Sequence, residues 1–110
     1  MPRAEKMIGP TGEEIIFIEC PGCRTLHGPR VKAGTDQPAR PLWTWNGNLE
    51  RPTFSPSLLV TWDRMRGGAP TGEKKVCHSF VTDGRIQFLS DSTHALAGQT
   101  VDLPERRWTN

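Results

Sequence analysis

The sequence predicts a mainly β, or β-rich α+β, protein: a small twisted antiparallel sheet with long loops, one short helical turn and a cysteine knuckle. Short runs of β-branched and aromatic residues recur along the chain, and turn-forming dipeptides separate them. The 11 glycines and 10 prolines also leave little room for long helices. Because 110 residues bury one modest core, we expect a single domain over residues 1–110, with flexible ends at 1–12 and 105–110.

Three segments of the first half predict strands. Glu14–Glu19 is a short apolar run that is rich in β-branched residues, so it predicts a buried strand. Trp43–Trp45 alternates apolar with polar residues, and Asn46-Gly47, which follows at once, predicts a type I′ hairpin turn. Ser57–Trp62 predicts the next strand, after a proline-rich segment that cannot be regular.

The clearest element of the second half is a tight hairpin. Asp83-Gly84 separates Val76–Thr82 from Arg85–Leu89, so that Thr82 pairs with Arg85 and the residues before and after them follow in register. Period-two alternation then places His78 on one face of the hairpin. The other face carries Cys77, Ser79, Val81, Ile86 and Phe88.

The remaining segments predict loops and short elements. Gly28–Pro41 and Met65–Lys75 have the composition of irregular loops. Asp91–Gly98 predicts one capped helical turn that a glycine closes, and Thr100–Leu103 predicts the last strand.

Charge and hydropathy exclude several classes of function. The net charge is +2 and the basic residues are scattered, so we do not expect nucleic-acid binding. No stretch is apolar enough to span a bilayer, and the N-terminal residues lack the apolar core of a signal peptide. We therefore expect a cytoplasmic protein without a membrane partner.

The motif Cys20-Pro-Gly-Cys23 predicts a metal site. A C-x-x-C turn places two thiolates on one ion without strain, and zinc prefers thiolate and imidazole ligands. Cys77 is the natural third ligand, because the chain has 3 cysteines. The fourth ligand is left open between His27, His94, a carboxylate and water; we favour His27, which lies close to Cys23 in sequence.

Two other interpretations of the cysteines compete with zinc. Free cysteines are often small buried apolar residues with no ligand role. A redox C-x-x-C is disfavoured, because such a motif opens a helix after a strand and residues 24–30 do not have a helical pattern. A structural zinc site would also stabilise a chain with so many loops.

A serine and a histidine form a second candidate site. Ser57 follows Pro56 at the start of a predicted strand, and His78 starts a hairpin strand and can face a neighbouring strand. A serine nucleophile needs a base within hydrogen-bond reach and a group that orients the base. Asp91 and His94 are both candidates for that third member, and we favour His94.

Several motifs in order resemble a family of small uncharacterised domains. They are Cys20-Pro-Gly-Cys23 with His27, Trp45-Asn-Gly, Arg51–Ser57 and Cys77–Ile86. The family is frequent in tailed-phage and prophage genomes, where members are sometimes mislabelled ammonia monooxygenase. Related domains occur in bacterial operons that also encode ubiquitin-like proteins and the enzymes that conjugate them.

The resemblance implies a serine peptidase that acts on a ubiquitin-like protein tail or conjugate. It implies that Ser57 is the nucleophile and His78 the base. Related members often carry a further cysteine where this chain has Leu89 or Ser90, and that difference favours His27 or His94 as a metal ligand. If a phage encodes the chain, it would work in the host cytoplasm, where it could remove tags laid down by host defence.

The alternative function is a non-catalytic zinc-binding phage accessory protein that binds a host or virion protein. The two hypotheses differ at Ser57, since only the hydrolase needs its hydroxyl.

Overall fold

The computed structural model describes residues 1–35 and 41–108, and in this part of the chain nine strands form two antiparallel sheets. The first sheet contains β1 (Ala4–Ile8), β2 (Glu14–Cys20), β3 (Thr25–His27) and β4 (Arg30–Lys32). The second sheet contains, in spatial order, β5 (Thr44–Trp45), β6 (Phe54–Arg66), β7 (Ala69–Thr82), β8 (Arg85–Phe88) and β9 (Thr100–Asp102). The prediction of a β-rich antiparallel fold is confirmed.

One hydrophobic core joins the two sheets. Alternate residues of β2 are buried, as the period of a strand requires when one of its faces is covered. The core therefore receives side chains from β2 of the first sheet and from β6, β7 and β8 of the second. Its fully buried members include Ile16, Ile18, Cys20, Cys77, Val81, Ile86, Phe88 and Leu103.

The hairpin of β7 and β8 has the predicted register and faces. Thr82 pairs with Arg85 and Val81 with Ile86. Asp83 has φ 51° and Gly84 has φ 76°, as a type I′ turn demands at both central positions. Every residue predicted to share a face with Cys77 is buried, so local pattern and turn chemistry together determine this element.

Met65–Lys75 was expected to be a loop, and this prediction is wrong. β6 and β7 continue as a long ribbon, in which Arg66 pairs with Ala69 across Gly67-Gly68. The two glycines have φ 59° and 81°, and glycine adopts such positive φ angles with little strain because it has no Cβ. Most side chains of the ribbon are exposed, so the hydrophobic alternation by which strands are recognised in sequence is missing here.

The expected loop over Gly28–Pro41 contains β4, which pairs with β2. Residues 36–40 of that loop lie outside the described part of the chain. The short β3, which also pairs with β2, had no sequence prediction, because three residues show no periodicity.

Asn46-Gly47 does not form the predicted two-residue turn. β5 pairs with β6 through Trp45 and Phe54, so residues 46–53 form a longer loop. The side-chain oxygen of Asn46 accepts hydrogen bonds from the amides of Asn48 and Thr53 and closes this loop. Asparagine thus acts here through its side chain, in the manner of an Asx turn.

Asp91–Gly98 forms hydrogen-bonded turns, and the described residues contain no helix. The amide of Ala97 donates to the carbonyl of His94, and the amide of Gln99 donates to that of Leu96. None of the described residues therefore belongs to a helix that is long and apolar enough to cross a membrane.

The terminal segments 1–12 and 105–110 were expected to be flexible. Ala4–Ile8 pairs with β2 as β1, and the amide of Arg106 donates to the carbonyl of Pro2 at 3.2 Å. Residues 109–110 lie outside the described part of the chain.

Candidate functional site

A bulge in β6 positions Ser57. Between the pairs Phe54–Val81 and Leu58–Ser79, β6 has more residues than β7, so the strand bends at 55–57. On the edge of β6 opposite to β7, Trp43 Nε1 donates to the Ser57 carbonyl at 3.2 Å and stabilises the bend. The half-buried Ser57 side chain is thereby directed to the outer face of the second sheet.

His78 meets Ser57 on that face. Its Cα lies opposite that of Leu59 in the β6–β7 register, and its Nε2 lies 3.1 Å from Ser57 Oγ. This is the hydrogen-bond distance that a serine nucleophile and its general base require. The structure thus brings together the two residues that the sequence proposed for catalysis.

Asp91 completes a chain of three side chains. The His78 Nδ1 lies 3.0 and 3.3 Å from the two carboxylate oxygens of Asp91. A carboxylate that accepts the Nδ1 proton leaves Nε2 free to accept the Ser57 hydroxyl proton. The arrangement therefore has the atoms, distances and order of a Ser–His–Asp triad.

Two hydroxyls hold Asp91 beside β7. Ser92 Oγ accepts from the His78 amide and donates to the His78 carbonyl, at 3.0 and 3.1 Å. Thr93 Oγ1 makes the equivalent pair of bonds with the backbone of Val76. Side chains thus take the place of a neighbouring strand, and no period in the sequence could have revealed this role.

His94 does not lie with Ser57 and His78, where we expected it. Its ring packs edge-on against Phe88, with the ring centroids 4.3 Å apart. It also covers Gly22, where any side chain would collide with the imidazole. The turn that presents Asp91 to His78 thus directs His94 to the cysteine knuckle.

The three cysteines and His94 form one cluster. One candidate ligand atom from each of Cys20, Cys23, Cys77 and His94 lies within 4.8 Å of all the others. The cysteines are free thiols, and the sulfurs of Cys20 and Cys77 are 3.8 Å apart. A disulfide would bring them to about 2 Å, whereas two thiolates on a tetrahedral zinc lie about 3.8 Å apart.

His27 lies beside this cluster but outside the group of four. It sits on β3 opposite Ile18, and its Nε2 is buried without a hydrogen-bond partner. His27 still helps to lower the pKa of Cys20. Its nearness to Cys23 in sequence favoured it as the fourth ligand, but it is His94 that groups with the three cysteines.

The thiols interact so strongly that they do not ionise together. A hydrogen bond from Cys77 lowers the pKa of Cys20 to about 4. Burial, followed by repulsion from Cys20, raises the pKa of Cys23 to about 11. The pKa of Cys77 is also raised, mainly by its hydrogen bond to Cys20. A divalent cation would compensate three thiolates that otherwise repel one another.

The donor set fits such a cation. His94 Nε2 is buried and has no hydrogen-bond partner, which is costly for an imidazole nitrogen. The Cys23 amide points at Cys20 Sγ, 3.4 Å away, as knuckle amides do around a metal-bound thiolate. The Leu96 amide donates to Nδ1 of His94, so Nε2 carries the ring proton in this arrangement. Coordination through Nε2 would require the other tautomer, with the proton on Nδ1, and the contact with the Leu96 amide would then be lost.

Comparison with protein families gives a match over most of the chain. Residues 2–89 match the model of a family described as "Bacterial ubiquitination-like system serine protease (BubE)". The matched span contains Ser57, His78 and all three cysteines, and it ends before Asp91 and His94. Comparisons with curated proteins and with solved structures gave no match.

Proposed function

This chain belongs to the BubE family of bacterial ubiquitination-like system serine proteases, and on that premise we propose that Ser57, His78 and Asp91 are its catalytic triad. The observation that carries the proposal is the unbroken chain of contacts from Ser57 Oγ through the imidazole to the carboxylate. We propose as substrate the tail of a ubiquitin-like protein, cut at a peptide or isopeptide bond.

In the first half of the reaction, Ser57 Oγ attacks the carbonyl carbon of the scissile bond and forms an Oγ–C bond, while His78 Nε2 takes the hydroxyl proton. Asp91, which accepts the Nδ1 proton, stabilises the imidazolium that results. The C–N bond then breaks, and Nε2 gives its proton to the leaving amine. The products of this half are an acyl-enzyme and a free amine.

In the second half, a water molecule attacks the acyl carbon, and His78 Nε2 takes a proton from it. The Oγ–C bond breaks, and the proton returns from Nε2 to Ser57 Oγ. The net reaction consumes one water and leaves a carboxylate on the acyl product. The Asp91 side chain is exposed, and the Ser57 and His78 side chains are only partly buried, so water has direct access to this group.

For the cluster we propose a structural zinc ion held by Cys20, Cys23, Cys77 and His94. When bound, the ion would supply four strong bonds that join β2 and the turn after it to β7 and the turn after β8, and no part of the chemistry at Ser57. The zinc therefore stabilises the sheets that carry the triad. Elemental analysis of the purified protein should give about one zinc per chain, and Cys23→Ser should lower that content.

A fluorophosphonate probe tests the catalytic proposal. The wild-type protein should react and Ser57→Ala should not, because the probe modifies an activated serine hydroxyl. Ser55→Ala is the matched control, since Ser55 is an exposed serine in the same bulge. Equal labelling of wild type and Ser57→Ala would refute the triad and favour the non-catalytic zinc-binding function.

We further propose a cytoplasmic location, which for a phage-encoded chain is the host cytoplasm. There the protein would meet ubiquitin-like conjugates of a host defence system. Incubation of such conjugates with wild type and with Ser57→Ala, followed by electrophoresis, tests this: conjugates should be lost only with wild type.

A further inference from the structure

The edge of β6 that follows Ser57 has no strand beside it in the described part of the chain. β5 pairs only with Phe54 and Ser55, while β6 runs on to Arg66. On its other side, the same stretch pairs with β7 from Leu58 to Arg66, with one register shift between Asp63 and Met65. The sheet therefore ends at an open strand edge immediately beside the proposed nucleophile.

The backbone groups that point to this edge can be identified from β7. The His78 amide and carbonyl bond to Ser92 and Leu89, away from β6. Alternate residues of a strand direct their backbone groups to opposite sides, so those of Cys77 face β6 and meet Val60.

It follows that Leu59 and Thr61 direct their N–H and C=O groups to the open edge. The Ser57 carbonyl has the same direction, since Trp43 Nε1 reaches it from that side. At about 3.3 Å of rise per residue, Leu59 and Thr61 lie roughly 7 and 13 Å along the strand from Ser57. That distance is spanned by two to four residues of an extended peptide.

A groove runs along this edge, between β6 and β3. Two adjoining depressions, of about 260 and 380 Å³, share Leu26, His27 and Val60 as lining residues. Their rims carry exposed apolar side chains, with Leu59 58% and Trp62 40% exposed. No carboxylate, lysine or arginine is among the described residues that line either depression.

We propose that an extended, apolar segment of the substrate polypeptide binds in this groove as an added strand on β6. Its backbone would bond to Leu59 and Thr61, and alternate side chains would contact Leu26 and Trp62. We identify the occupant as a substrate chain because the unpaired backbone groups begin at Leu59, two residues after the proposed nucleophile. A chain bonded to them would therefore pass beside Ser57. This inference rests on the proposed function, and it names the part of the substrate that is recognised beside the scissile bond.

Two chemical probes, applied to the wild-type protein and to variants, test the proposal. A small alkyl fluorophosphonate reports on Ser57 alone, whereas acetyl-Leu-Val-Leu diphenyl phosphonate also needs the groove. Thr61→Pro removes an amide that faces the open edge. Thr61 lies opposite Val76 of β7, but the Val76 backbone bonds to Thr93 instead, so no hydrogen bond to β7 is lost and proline is tolerated. Thr61→Val keeps the amide and is the matched control.

We expect Thr61→Pro to react about five- to tenfold more slowly with the peptide probe than Thr61→Val does, as the loss of a hydrogen bond predicts. The small probe should label both variants at rates within about twofold, which also shows that Thr61→Pro is folded. A peptide probe methylated on its central amide should react more slowly with wild type, a result that needs no variant.

The outcomes separate this inference from the function on which it rests. Normal labelling by the small probe, with equal rates for the peptide probe, its methylated form and all variants, would overturn the added strand and leave the triad standing. Absence of Ser57 labelling by the small probe would overturn both.

A matched pair at the groove wall gives an independent measurement. Leu26→Ser should slow the peptide probe but not the small probe, because it removes an apolar wall. Leu42→Ser, an exposed leucine that does not line the groove, should slow neither. Equal effects of both substitutions on the peptide probe would count against the groove.

Discussion

Replacing Asp91 by asparagine should slow the reaction of Ser57 with a small fluorophosphonate by about 10- to 100-fold. The substitution would leave the size of the side chain unchanged but remove the charge that stabilises the imidazolium of His78. A hydrogen bond to a charged group contributes about 1.5–3 kcal/mol, which corresponds to this range of rates. A fully buried triad carboxylate is worth more, on the order of 10⁴ in rate.

The smaller value is expected because the Asp91 side chain is 58% exposed. Water therefore competes for His78 Nδ1 and replaces part of what the carboxylate supplies. The assay is the second-order rate constant of labelling near neutral pH, and Asp91→Glu should recover part of the loss because it retains the charge.

Asp83→Asn is the control, since Asp83 is an exposed carboxylate in the turn between β7 and β8. It should leave the rate unchanged. A change of less than twofold in Asp91→Asn would show that Asp91 does not orient His78, and a loss near 10⁴ would refute the argument from exposure.

Three further predictions concern the cluster. Cys77→Ser should remove the bound metal and lower the free energy of unfolding by more than about 4 kcal/mol in urea titrations, and equal stability would contradict a structural metal. Burial raises the pKa of Cys23 to about 11, and the pKa of Cys77 is also raised, so metal-free protein holds both protons at neutral pH. Zinc binding then releases two protons, and the apparent affinity, measured against a chromophoric chelator, should rise about 100-fold per pH unit between roughly pH 7 and 8; a tenfold slope would mean one proton. Gly22→Ala should weaken metal binding because its Cβ would displace the His94 ring, whereas Pro21→Ala should not.

The parts of the fold that local sequence determines were predictable. The β7–β8 hairpin needs only alternation and an Asp83-Gly84 turn, and both are visible in the sequence. The ribbon beyond Trp62 was missed because its side chains are exposed on both faces, so no alternation marks it as a strand.

The candidate sites depend on long-range pairing, which a single sequence does not show. His27 was favoured as a metal ligand for its nearness to Cys23, but β3 fixes it opposite Ile18. The turn after β8 instead returns His94 to the knuckle and Asp91 to His78. The places of His27 and His94 therefore depend on how one turn packs against two strands. Ser57 and His78, in contrast, lie on strands that the sequence predicted.

The triad lies on an uncovered sheet face, where the His78 side chain is 25% exposed and the Asp91 side chain 58%. On the proposed function, a reaction centre in that position would not select substrates by size, so a folded domain with a branched linkage could approach it as readily as a short peptide. Selectivity between substrates would then depend on how tightly the protein binds the few substrate residues next to the cleaved bond. On the proposed function, substrate would reach Ser57 without a prior opening step, because the described residues leave that face of the sheet exposed.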